Sequence, residues 1–185
     1  MATLAQAVAP TSTTRKRLVQ VIALSWFAVI GLDFLLNAGL FAPFYRFDLP
    51  GFLSPMKMFQ RIPLGYASYL VQNILLGWMM VRIGVMGGKA GAIFGAKFGV
   101  LIGGAGLLGW LSLFSYPALM LSCWAVFYAL AATLAGMVIG SGLAAQRLRP
   151  MVLRLVAFFV ICILCAVVMQ SLGLVPAVKV YEIPS

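Results

Sequence analysis

The chain predicts an all-α, polytopic membrane protein with five transmembrane helices, on three observations. Hydrophobic residues fill 64% of its 185 positions and charged residues only 9%, whereas soluble domains run at roughly 45–50% and 25%. The apolar residues gather into five runs, each near the ~20 residues that cross a bilayer as a helix. Finally, 13 Lys and Arg against 3 acids give a net charge of +10, and most of the basic residues stand between the runs, where they set topology and meet anionic head groups.

The first 17 residues are small and polar and end in Arg15, Lys16 and Arg17, which reads as a disordered, basic-ended tail. The bundle is expected over 18–175. Its first helix, 18–41, is too long for the core of a cleavable signal and holds Asp33 within it. The connection 42–62 mixes Arg46, Asp48, Lys57 and Arg61 with Phe44, Tyr45, Phe47, Phe52, Phe59 and three prolines. Ser54 before Pro55 is a helix start, so a short interfacial helix is expected over 56–61, as an anchor at head-group depth or a lid over a site between helices. Further helices are expected over 63–81, 90–114, 117–145 and 151–175, followed by a short tail, 176–185.

Alternating sides along this layout gives Arg15, Lys16, Arg17, Arg82, Lys89, Arg147, Arg149 and Arg154 to one side and Arg46, Lys57, Arg61 and Lys179 to the other. The bias predicts a cytoplasmic amino terminus and an extracytoplasmic carboxyl terminus, most simply in a bacterial inner membrane.

Small residues supply a packing pattern. Gly91, Gly95, Gly99 and Gly103 recur every fourth position in the third run, and Ala132, Gly136 and Gly140 do so in the fourth, continued by Ala144. Such spacing puts a stripe without side chains along one helix face, so that a second backbone can approach closely in lipid. If the two runs form a hairpin that reverses between Ser115 and Tyr116, residues at equal depth have numbers summing to 231. Gly91 then faces Gly140, Gly95 faces Gly136 and Gly99 faces Ala132. An intramolecular hairpin therefore takes precedence over a homo-oligomer seam or a glycine-lined pore.

Asp33 is the one acid inside an apolar run. An ionisable side chain at the bilayer centre costs roughly 2.5–3.5 kcal/mol, so it calls for a partner or a purpose. Asn37 lies one turn later on the same face. The next run offers Tyr66, Tyr69 and Asn73 on one stripe, with Gln72 beside it, and the two helices are antiparallel neighbours. These six residues are the candidate pocket for a ligand or ion. Lys97 is a candidate counter-ion, although it projects opposite the glycine stripe and sits only about two turns from the helix end, where snorkelling toward head groups competes.

Several chemistries find no support. The sequence has no histidine, and therefore lacks the commonest metal ligand and general base. Neither a phosphate-binding loop nor a dinucleotide, haem or metalloprotease motif occurs, so no catalytic residue, metal or cofactor is assigned and no enzyme is expected. The basic residues form no aromatic-interleaved patch, which argues against nucleic acid. Cys162 and Cys165 have dithiol spacing, yet on a membrane helix they read as packing residues. Two functions stay open: a small carrier or channel for a proton, cation or small solute using the Asp33 pocket, and a non-catalytic accessory or assembly subunit of a larger membrane complex.

Overall fold

A computed structural model describes residues 12–45 and 49–175; Arg46, Asp48 and Lys179, used above in the charge count, lie outside the described residues. The described chain is helical throughout, without strands. Helix α1 spans Ser12–Leu35 and continues as a π-helical turn, Leu36–Leu40, and a 3-10 turn, Ala42–Phe44. The short α2, Pro55–Gln60, leads directly into α3, Ile62–Arg82. Helices α4, Gly88–Leu113, α5, Ala118–Ala144, and α6, Arg149–Ser171, complete the chain. Five of these, α1 and α3–α6, are long and apolar enough to cross a bilayer. Large apolar side chains such as Leu101, Leu108, Leu113 and Leu64 are exposed on their outer faces, a surface suited to lipid.

Two helix ends differ from the sequence expectation, each for a local reason. The amino-terminal 1–17 does not all lie outside the bundle, because α1 already begins at Ser12. Its early start positions Arg17, whose Nε donates to the Gly142 carbonyl at 2.9 Å and whose terminal nitrogen donates to the Ala145 carbonyl. A cation thus satisfies carbonyls that the end of α5 leaves without an intrahelical partner. At the other end, α6 stops at Ser171 rather than 175. Gly173 there adopts φ +69°, its N–H donates to the Gln170 carbonyl, and the Leu174 N–H reaches back to Met169. That pair of bonds is the Schellman closure, and it requires a left-handed residue. Gly84, at φ +71°, closes α3 in the same way.

Helices α1 and α5 form the centre. Helix α5 packs on α4, α1 and α3, and α1 packs on α5, α6 and α3. The core between them is built from Val21, Val29, Leu76, Met80, Phe127 and Ile139. Against α6, Gly31 lies under Phe159, whose ring stacks on Phe27 at 4.2 Å. Successive long helices run antiparallel. Arg15, Lys16, Arg82, Lys89, Arg147 and Arg149 therefore gather at the end where α1 starts, while Lys57 and Arg61 stand at the far end.

The closest packing joins α4 to α5. A Cβ built on Gly91 would stand 2.1 Å from the Gly136 carbonyl oxygen, and one on Gly95 equally close to that of Ala132. Gly136 in turn faces the Gly91 carbonyl and the Gly95 Cα, and Gly140 the Gly87 carbonyl and the Gly91 Cα. Each glycine sits between two small residues of the partner helix, so the pairs expected at equal depth touch, and so do those one turn further along. Gly99 meets Tyr128, Ala129 and Ala132, and Gly103 meets Ala125. The seam is closed at its end by the Gly87 N–H, which donates to the Gly140 carbonyl at 2.9 Å.

Candidate functional site

At the far end of the bundle the last turns of α1 meet the first turns of α3 and α5 and the last turns of α4. Asp33 stands there one helical turn before Asn37, which falls in the π-helical segment. Such widened turns recur at functional sites because they re-aim side chains and release backbone groups. The Asn37 Nδ2 donates to Asp33 Oδ1 at 2.7 Å, and the Tyr69 hydroxyl from α3 donates to the same oxygen at 3.0 Å. The Tyr45 hydroxyl donates to the Asn37 Oδ1. The amide of Asn37 is thus oriented from both sides, with its NH2 toward the acid and its oxygen toward a phenol. Burial, with Cys123 and Asp33 nearby, raises the Tyr45 phenol above its ordinary pKa, so this hydroxyl remains a donor.

Beside this network lies a partly open cavity of about 300 Å³, lined by Asn37, Tyr69, Trp110, Trp124, Phe127 and Tyr128. Asn37 and Tyr69 belong to both, which places the Asp33 carboxyl one hydrogen bond behind the wall. The remaining walls are aromatic. Trp110 and Trp124 meet edge to face at 5.7 Å, Tyr69 and Phe127 lie 5.3 Å apart, and Trp110 and Tyr128 lie 6.0 Å apart, all within the range of favourable ring pairs. Near Trp124, the segment before α2 is fastened to the α4–α5 turn. Phe52 stacks on Tyr116 at 4.9 Å, and the Tyr116 hydroxyl donates to the Pro50 carbonyl.

The six residues singled out from sequence do not all come together. Asp33, Asn37 and Tyr69 come together. Tyr66 makes no hydrogen bond to the acid: its backbone carbonyl accepts from the Trp26 indole at 2.8 Å, and its ring lies 6.2 Å from that of Tyr69. Asn73 is buried deeper and donates to Ser25 Oγ at 3.1 Å, while Ser25 donates to the Ile22 carbonyl. This is a separate tie between α1 and α3, and Gln72 stands between the two networks, close to the Tyr128 hydroxyl. Lys97 is not a counter-ion. Its side chain is exposed on the side of α4 away from α5, and among the described residues no cation pairs with Asp33, which is itself the one acid among them.

Among the described residues no three His, Cys, Asp or Glu side chains gather as a metal site. The three cysteines are free thiols, with Cys162 buried and Cys165 exposed.

Sequence reasoning missed the aromatic walls, Arg17 as a cap on α5, and Gln170, whose Nε2 donates to the Ala38 carbonyl at 2.7 Å within the π-helical turn. A signal for the first was present. The depth rule that paired the glycines puts Trp110 opposite position 121, within one turn of Trp124. Comparison with known protein families, with curated proteins and with solved structures finds no match for this chain.

Proposed function

We propose that this chain is a small carrier or channel that moves a proton, cation or small solute across a membrane through the pocket at Asp33. The observation that carries the reading is the placement of a carboxyl, held by Asn37 and Tyr69 and without a cationic partner among the described residues, directly behind a cavity of about 300 Å³. A purely structural acid needs partners but no adjoining space. Ionisable residues at membrane depth characteristically serve ion or substrate paths, and ligand sites in bundles lie between helices, in cavities of this size and above. The excess of Lys and Arg at the end where α1 starts supports a cytoplasmic amino terminus, with the aromatic cavity toward the opposite side, in a bacterial inner membrane.

The test is reconstitution into proteoliposomes, with flux of protons and of small cations and solutes followed against protein-free vesicles. Flux in the wild type that Asp33→Asn removes, with helicity and unfolding midpoint preserved, is the expected result. Undiminished flux in Asp33→Asn sinks the proposed role of the acid. Absence of flux in the wild type, together with stoichiometric partners on mild-detergent purification, would return the chain to the reading as an accessory subunit.

A further inference from the structure

The cavity has a composition that narrows its ligand, on the reading that the Asp33 pocket is the transport site. Five of its six lining residues, Tyr69, Trp110, Trp124, Phe127 and Tyr128, present aromatic rings, contributed by α3, α4 and α5, and the sixth is Asn37. Among the described residues no Lys or Arg lines it, and the one acid stands behind Tyr69 and Asn37. From these observations we infer that the cavity takes a small organic monocation with an alkylated ammonium head.

Three physical arguments lead there. Aromatic faces attract cations through the ring quadrupole, and the attraction is greatest for weakly hydrated ammonium groups that shed water at little cost. A bare metal cation or Mg²⁺ instead needs several converging oxygens, and beside the rings the described walls offer the Asn37 amide, which is engaged by Asp33 and Tyr45, and two phenol hydroxyls. One carboxyl behind the wall neutralises one positive charge across a low-dielectric gap, which favours a monocation over a dication or an anion. The Asn37 amide and Tyr69 hydroxyl, which both donate to Asp33, connect the acid to the cavity without exposing it.

The experiment is equilibrium binding of choline to the full-length chain in neutral-lipid nanodiscs, set against its uncharged isostere 3,3-dimethylbutan-1-ol. Choline is expected to bind at least about tenfold more tightly than the isostere, a difference of ~1.4 kcal/mol. Asp33→Asn should erase most of that preference. Trp124→Leu should weaken choline binding, and Trp124→Phe, which keeps a ring, should weaken it less; circular dichroism and unfolding midpoints exclude misfolded variants. Equal binding of the two probes, no choline binding, or a preference that survives Asp33→Asn overturns the inference. Proton flux that depends on Asp33 without choline binding would defeat this inference and leave the transport reading standing. Choline binding without any flux would do the reverse.

Discussion

Helices α4 and α5 touch along their whole length, yet the two halves of that contact are made from opposite materials. From Gly87 to Gly103 the backbones lie against each other, and a methyl group at Gly91 or Gly95 would overlap a carbonyl of the partner. Beyond Gly103 the contact becomes ring against ring, Trp110 on Trp124 and Tyr128, and there the cavity opens. The contrast teaches how a bundle with almost no polar side chains can hold both a rigid seam and a space. Small residues exclude everything by proximity, whereas large flat ones hold the helices apart and line the space between them. In lipid, where burial of apolar area between helices gives no net hydrophobic gain, close contact of this kind is a principal source of association.

The largest effect expected from breaking this contrast is at the seam. Gly95→Ala should cost about 3 kcal/mol or more, since overpacking against backbone has no flexible side chain to yield. Gly104→Ala, one position beyond the seam stripe with nothing within 4 Å of its Cβ, should stay within about 1 kcal/mol of wild type. Equilibrium unfolding in mixed micelles compares the two, and equal midpoints would show that α4 and α5 are not in backbone contact. Next in size, Arg17→Ala leaves two carbonyls at the end of α5 without their cation, and a loss of about 2 kcal/mol is expected in the same assay. Tyr69→Phe, at the open half, should shift stability by about 1 kcal/mol at most while lowering flux several-fold, because the ring stays and the donor to Asp33 goes. The smallest change is expected from Gln170→Leu, about 0.6 kcal/mol, which tests whether its bond to the Ala38 carbonyl holds the π-helical turn. An effect of Gln170→Leu larger than that of Gly95→Ala would invert the account of what holds the bundle.

The seam was legible in the sequence because its information is local. A four-residue spacing of glycines in two adjacent apolar runs specifies both a face and a partner, and the turn at Ser115–Tyr116 specifies the register. The bounds of α3, α4 and α5 lie within two residues of those the sequence suggests, whereas α1 starts earlier and α6 stops earlier, because the Arg17 reach to α5 and the left-handed Gly173 depend on contacts and backbone geometry that hydropathy does not carry. Asp33 with Asn37 and Tyr69 was legible for the same reason, as an i,i+4 pair facing an antiparallel neighbour. Tyr66 and Asn73 were grouped with them because they share a stripe, but a stripe on a helix is wider than a site. The rotation of α3 that turns Tyr69 toward the acid leaves Tyr66 above it and sends Asn73 to Ser25. Trp110 reads as an interface residue when its helix is considered alone; only the juxtaposition of three helices turns it into a wall. Arg17 was counted as a topology charge, and its reach to α5 depends on α1 and α5 being neighbours, which chain order does not state.

One region of the bundle holds it together and another is proposed to carry its function, and flux per folded molecule tests that separation most directly. Measured in proteoliposomes against wild type, Asp33→Asn is predicted to lose flux, Asp33→Glu to keep part of it, and both to unfold close to the wild-type midpoint. Wild-type flux in Asp33→Asn, or a loss of flux that only follows a loss of folded protein, would contradict it.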